Sequence, residues 1–286
     1  MKDFPAKIDL HMHTVISDGT DRPEEILEKV KTEGIGFFSV TDHDALKGGA
    51  EILNKRQADD PSFITGVEFS CRDEKGKYHI LGYHYDLEGE AINALIKRGH
   101  GYRLAKTRGR VQLLGEMFGF YFPEEEVEAL LSLDNPGKPH IGNLMVKYGF
   151  AESKEQAIKE FINKTRIKTT YIRPEEAIEG ILKSGGIPVL AHPSFGDGEQ
   201  LILGEEMEER LRKLMEYGLE GLEAFYSGFT PKLSGELLSY ADKYDLLVTA
   251  GSDYHGSNKL VRLGDTGLEN TKDGPKGLLR FLERCL

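Results

Sequence analysis

Apolar and polar positions recur along the chain in one repeating unit. From Pro23, apolar residues at Ile26, Leu27 and Val30 lead through Gly34 into the continuous run Ile35 to Val40, which ends on Thr41-Asp42-His43. From Pro174, the positions Ala177, Ile178, Ile181 and Leu182 lead through Gly185-Gly186 into Ile187 to Ala191, which ends on His192-Pro193. Leu237, Leu238 and Ala241 lead into Leu246 to Ala250, which ends on Gly251-Ser252-Asp253-Tyr254-His255. Apolar spacings of three and four, with acids in the first turn, predict amphipathic helices. Short apolar runs bounded by glycine predict buried strands. Lys7 to Leu10, Phe63 to Phe69 and Tyr78 to Tyr83 are further predicted strands; the first leads to His11 and His13, and the others carry Glu68 and His79.

Helix alternating with buried strand predicts an α/β fold, a parallel sheet or a barrel, in which ligand groups gather at the carboxyl ends of strands. Between about Glu90 and Lys168 the pattern turns helical and charged. A helix is expected to start at Glu124 after Pro123, and a short one to run from Lys154 to Ile162, with Asp134 to Pro139 a loop. The expected organisation is a barrel formed by 1–89 and 169–286, with 90–168 a helical insertion over its active site.

Composition narrows the classes. The 286 residues are 39% apolar and 30% charged, as in a globular protein. The net charge, 37 − 48 = −11, argues against long duplex nucleic acid spread over the surface, but leaves room for a small anion in a pocket. No apolar run reaches the ~18–20 residues of a membrane span. Met1 to Pro5 has no apolar stretch behind it, unlike a signal peptide. Two cysteines, Cys71 and Cys285, make no disulfide framework, so a cytoplasmic setting is expected. Cys71 is expected to be a small core residue near Glu68, and His84 and His100 structural or surface residues.

The strand ends carry the chemistry. Six of the nine histidines fall there, His11, His13, His43, His79, His192 and His255, beside Asp18, Glu68 and Asp253. His-x-His on an extended segment turns both imidazoles to one side. Imidazole with carboxylate suits Zn, Fe or Mn, without the thiolates of a purely structural zinc site. One such histidine is an ordinary hydrogen-bonding residue; recurrence at five or more strand ends favours ligands. These donors exceed the needs of one ion, so two or three divalent ions are expected, with Glu68 bridging. Asp42 is either a turn residue or the partner that orients an imidazole.

The sequence resembles the PHP-domain (polymerase and histidinol phosphatase) metal-dependent phosphoesterases. The matching residues are Asp9-Leu10-His11-Met12-His13-Thr14 with Ser17-Asp18-Gly19, Thr41-Asp42-His43-Asp44, Gly66-Val67-Glu68, His79-Ile80-Leu81-Gly82-Tyr83, Ala191-His192-Pro193 and Gly251-Ser252-Asp253-Tyr254-His255-Gly256. The resemblance implies a distorted (β/α)7 barrel whose di- or trinuclear centre is held by His11, His13, Asp18, His43, Glu68, His79, His192, Asp253 and His255. The size and insertion are similar to those of the stand-alone bacterial members acting on nucleoside 3′,5′-bisphosphates and short oligonucleotides. Pro139-His140 matches a motif of that group's insertion, with Lys138 where the group has arginine, and Phe225-Tyr226 matches another.

The expected activity is therefore hydrolysis of nucleotide phosphomonoesters by metal-activated hydroxide. Glu68, Asp253 and His140 are its catalytic candidates. Lys138, His140, Arg103, Arg110 and Tyr226 are candidates for the substrate phosphates. Arg103, Lys106 and Arg110 share one helix face, which is otherwise read as a solvated charged surface. Arg173 and Lys168 are lesser candidates. The alternatives are a histidinol-phosphate phosphatase and a metal-binding regulatory module without turnover. A small phosphorylated molecule is the expected partner, with neither membrane nor long duplex.

Overall fold

Helix ends fall where the sequence marks them. In the computed structural model, which describes residues 7–168, 170–195, 201–270 and 274–286, α1 (Pro23–Thr32) starts on proline and buries Ile26, Leu27 and Val30. Glu25 reaches back to accept the Arg22 backbone N–H at 2.8 Å, satisfying one of the orphan donors of a helix start. α7 (Pro174–Lys183) repeats the device, with Glu176 accepting from Arg173 N at 2.9 Å. The chain forms two units, Met1–Ile96 with Ile172–Leu286, and Lys97–Tyr171.

The first unit holds all eight strands found among the described residues, in two sheets. In one, β1 (Ile8–Asp9), β2 (Phe37–Phe38) and β3 (Ser62–Phe63) pair in parallel. The other runs in the order β4 (Gly66–Asp73), β5 (Gly76–Tyr83), β6 (Ile187–Leu190), β7 (Gly221–Tyr226) and β8 (Leu247–Gly251). Here β4–β5 is an antiparallel hairpin, β5–β6 is antiparallel, and β6–β7–β8 are parallel. The two sheets meet through short runs of backbone hydrogen bonds: Leu10 N to Ala250 O at 2.9 Å, Asp253 N to His11 O at 2.8 Å and His13 N to Tyr254 O at 2.8 Å at one edge, and Asp44 N to Glu68 O at 2.9 Å and Glu68 N to Asp42 O at 3.3 Å at the other. α2 (Lys47–Lys55), α8 (Gly204–Glu216), α9 (Pro231–Tyr244) and α10 (Lys276–Cys285) complete the unit's helices, with the N-terminal part of α3 (Glu90–Phe118). Ile8, Leu10, Met12, Val67, Val189 and Leu222 are among its fully buried residues.

Three expectations need correction. The sheet is not all parallel, because a tight turn before Gly76 sends β5 back along β4 where a βα unit would need a crossover. The strand expected over Phe63 to Phe69 is interrupted at Ile64 and Thr65, where the chain passes from one sheet to the other. The strands form two sheets, and no continuous ladder closes them among the described residues.

The second unit contains the rest of α3, then α4 (Glu124–Leu131), α5 (Lys138–Lys147) and α6 (Lys154–Gln156). The helix expected from Lys154 to Ile162 turns irregular after Gln156, with a π-type turn over Ala157–Phe161 and a 3-10 turn over Ile162–Lys164. Its core is Leu114, Leu130, Ile141, Leu144, Met145, Ala157 and Ile162, covered by phenylalanines. Among the described residues no helix is long and apolar enough to cross a membrane.

Candidate metal centre

All nine candidate ligands lie in the first unit. Beyond β1 the chain stays buried, and alternation separates Leu10 and Met12 from His11 and His13, whose ring centroids are 5.3 Å apart. Glu68 on β4 and His79 on β5 are diagonal neighbours across the hairpin, since Ser70 pairs with His79. His192 follows β6, and Asp253 and His255 follow β8. His192 (φ 25°) and Asp253 (φ 56°) take left-handed backbone, so two donors sit in conformations that cost about 1–3 kcal/mol each.

Glu68 is the hub. Its Oε2 lies 3.3 Å from His11 Nε2, 3.2 Å from His13 Nε2 and 3.1 Å from His43 Nδ1. Its Oε1 lies 2.7 Å from His79 Nδ1 and 3.2 Å from His192 Nε2. Asp253 Oδ1 is 3.5 Å from His11 Nε2 and 3.3 Å from His13 Nε2. Asp18 Oδ1 is 3.1 Å from His255 Nε2, and its Oδ2 is 3.9 Å from His43 Nε2. Three groups can each surround an ion: His13, Asp18, His43 and His255; His11, His13 and Asp253; and His43, Glu68 and His79.

The donors fit divalent cations. His11 Nε2, His13 Nε2 and Glu68 Oε2 are buried with no hydrogen-bond partner among the described residues. Such atoms are costly unless something else meets them. Ligands about 2.0–2.2 Å from a tetrahedral ion stand about 3.4 Å from one another. Charge points the same way: Asp18, Glu68, Glu223 and Asp253 crowd the imidazoles. Although burial alone would lower it, His13 is pushed up to about 9 by Asp253 and Glu68. Burial opposes, yet the histidines around Glu68, His43 first, hold its carboxyl well below the usual range. Burial pushes His43 and His255 down instead, with the charge on His13 adding to the effect at His255. Protons and cations thus compete for the same carboxylates.

Supporting residues aim the imidazoles. His11 Nδ1 meets Glu223 Oε1 at 2.9 Å, so its Nε2 faces Glu68 and Asp253. Glu223 Oε2 also accepts the His192 backbone N–H at 2.7 Å, bracing that strained turn. Glu223 escaped the sequence analysis. Its signal was a lone acid inside the buried strand run Gly221 to Tyr226. At the end of β8, a Cβ on Gly251 would meet His11 Cβ at 2.2 Å and Glu223 Oε1 at 2.5 Å, so only glycine lets that pair close. Among the described residues Asp42 reaches an imidazole only by way of Ser17. It accepts Thr14 N and Oγ1 at 2.8 Å, and Ser17 Oγ at 2.6 Å, while Ser17 Oγ lies 3.3 Å from His13 Nδ1. His255 Nδ1 donates to Asp253 O at 2.9 Å, which leaves Nε2 toward Asp18.

Tyr226 lies at the cluster's edge, its hydroxyl donating to Asp253 Oδ2 at 2.8 Å; Lys259 Nζ reaches the same oxygen at 2.5 Å. Cys71 is buried on β4, and burial pushes its thiol up. His84 is exposed and His100 half-buried. Arg173 precedes α7 and pairs with Glu175. The other candidates belong to the helical unit. Arg103, Lys106 and Arg110 are half-buried there, whereas Arg98 and Arg108 on the same helix are exposed, so the basic residues of α3 divide into two faces. Lys106 Nζ bonds Tyr171 OH at 2.9 Å and lies 4.7 Å from its ring centre. Burial, then repulsion from its neighbours, lowers Lys106, and burial lowers Arg110. Lys138 reaches Asn163 Oδ1 at 2.7 Å. His140 Nδ1 accepts the Gly137 N–H at 3.2 Å, which puts any neutral-ring proton on Nε2.

Residues 9–217 match the model of the family described as the PHP domain. The chain is 29% identical over 260 residues to the phosphoribosyl 1,2-cyclic phosphate 1,2-diphosphodiesterase of Eggerthella lenta, covering 87% of this chain and 94% of that one. It is 26% identical over 264 residues to a 5′-3′ exoribonuclease of Haemophilus influenzae (90% and 93% covered). It is 25% identical over 279 residues to the 3′,5′-nucleoside bisphosphate phosphatase of Chromobacterium violaceum (94% and 93% covered). A crystal structure from Bifidobacterium adolescentis, assigned as a metal-dependent phosphoesterase, superposes with a TM-score of 0.81 at 29% identity, covering 99% of this chain and 98% of that one.

Proposed function

The chain belongs to the PHP-domain family and is a metal-dependent phosphoesterase, and on that premise we propose that it hydrolyses phosphomonoesters of nucleotides, nucleoside 3′,5′-bisphosphates above all. The observation that carries the reading is Glu68, whose two oxygens each face imidazoles from different strand ends. His11, His13, Asp18, His43, Glu68, His79, His192, Asp253 and His255 would hold two or three ions, Mn, Fe or Zn. Bound there, the ions supply an acidified water and a counter-charge for phosphoryl oxygens. Glu68 fixes the spacing between donor groups, and Asp253 is held by Tyr226 and Lys259 on the oxygen that faces away from His11 and His13. Glu223 and Ser17 keep two imidazoles in the orientation that presents Nε2.

The half-buried cations Arg103, Lys106 and Arg110 support an anionic substrate. Burial lowers Lys106 and Arg110, a cost that an anion beside them would offset. Lys138 joins them as a phosphate-binding candidate, and the Nε2 proton of His140 suits a leaving oxygen.

The test is phosphate release from adenosine 3′,5′-bisphosphate with manganese, set beside histidinol phosphate read the same way and phosphoribosyl 1,2-cyclic phosphate read as loss of the cyclic ester, because opening a cyclic diester leaves a monoester and frees no phosphate. Fastest release from the nucleotide is expected. Faster turnover of the cyclic ester by protein that holds metal would transfer the assignment to diester cleavage, the activity named for the Eggerthella relative.

A further inference from the structure

The turns after β6 and β7 set three aromatic rings beside the candidate metal centre. Tyr226 and Phe229 have ring centroids 5.1 Å apart, Phe195 and Phe229 are 5.2 Å apart, and Phe195 and Tyr226 5.7 Å. The Tyr226 ring stands edge-on to the His192 imidazole at 5.5 Å, and its hydroxyl holds Asp253. Backbone bonds fix both turns: Phe195 N to His192 O at 3.0 Å, and Phe229 N to Tyr226 O at 2.8 Å. A Cβ on Gly228 would come within 2.9 Å of the Tyr226 ring and 3.0 Å of the Phe195 ring, so the loop closes on these rings only because that residue is glycine. All three rings remain half-buried, unlike the neighbouring Phe225, which is fully enclosed.

A phosphate and its cations have no use for such a wall. Carboxylates, imidazoles and lysine serve the charged part of a substrate; an aromatic surface one ring away serves a flat, weakly polar part. We propose that Phe195, Tyr226 and Phe229 form a stacking surface that receives the heteroaromatic base of the substrate while its phosphate lies at the metal centre. The inference rests on the nucleotide reading above and adds to it a source of selectivity. Every base has a π-face, so a surface of this kind accepts purines and pyrimidines alike and discriminates against esters that lack a base. The Tyr226 ring has a second task, because its hydroxyl positions Asp253. Phe195 and Phe229 therefore report the stacking role more cleanly.

The experiment compares 2′-deoxyadenosine 3′,5′-bisphosphate with its abasic 1,2-dideoxyribose counterpart, in wild type, Phe195→Leu, Phe229→Leu and Phe229→Tyr, each checked for bound metal. Leucine keeps apolar bulk and removes the ring. The ratio of kcat/KM for the base-bearing over the abasic substrate is expected to fall about tenfold in each leucine variant, chiefly through KM, and to recover in Phe229→Tyr. Equal losses on both substrates would mean that the rings only hold the loops, and would overturn the stacking surface while leaving the nucleotide reading intact. A wild type that holds metal yet releases phosphate from neither substrate would overturn both.

Discussion

The strand-end cluster and the helical unit are built by opposite routes. The cluster takes donors from His11 to His255, brought together by two sheets whose edges meet through a few backbone hydrogen bonds. The helical unit is one unbroken segment, Lys97–Tyr171, packed by near neighbours. Phe120 stacks on Phe150 at 4.7 Å, and Phe118 meets Phe161 edge-on at 5.3 Å. In the first region polar groups are buried and need one another; in the second, the buried cluster is apolar and the ion pairs lie toward the surface. Buried polar clusters fail when one partner is removed, whereas apolar cores lose stability by increments.

Substitutions can sharpen that contrast. Glu68→Gln keeps the shape of the hub but removes its charge. Metal content measured on the purified protein should drop, and kcat should fall on the order of 10³-fold, about 4 kcal/mol of lost charge stabilisation. Undiminished metal and turnover would dismantle the hub. Ile141→Ala, at a fully buried position of the helical unit, should cost about 3 kcal/mol in denaturant unfolding while metal content stays unchanged. Lost metal in that variant would erase the distinction between the regions. Glu223→Gln should weaken metal affinity about 10- to 100-fold with little change in unfolding midpoint. A wild-type affinity would reduce Glu223 to a strut for the His192 turn.

The smallest effect is set by pH. Without metal, His13 is held up to about 9, so it carries its proton at neutral pH and must release it to coordinate. Metal affinity of the chelator-treated protein should therefore fall as pH drops below about 9, by no more than about tenfold per unit for this one proton, and level off above it. Calorimetry in buffers of different ionisation enthalpy would register the released proton. An affinity flat between pH 7 and 9 would show that His13 carries no proton at neutral pH that the metal must displace.

How much could be read in advance follows the same division. Helix starts at Pro23 and Pro174 and the strand ends at His192 and Asp253 were legible, because proline, first-turn acids and apolar runs bounded by glycine act locally. The antiparallel β5 was not: a two-sided buried strand looks the same in either direction, and only its turn before Gly76 reverses it. The polar residues around His11 were half legible. Asp42 stood beside a histidine in sequence, while Glu223 meets His11 from 212 positions away. The helical spacing already put Arg103, Lys106 and Arg110 on one face, yet only the fold shows that this face is half-buried while Arg98 and Arg108 stay exposed.

The spread of donors along the chain also sets a schedule. Synthesis delivers seven of the nine candidate ligands by residue 192, but Asp253 and His255 arrive only after β8. Two of the three ion-holding groups include one of those late residues. A ribosome still translating β8 has already released the whole helical segment, which can pack from its own residues, whereas the cluster must wait. A chain cut short before Asp253 would carry the whole helical segment and the group His43, Glu68 and His79, but would leave the other two ion-holding groups unfinished.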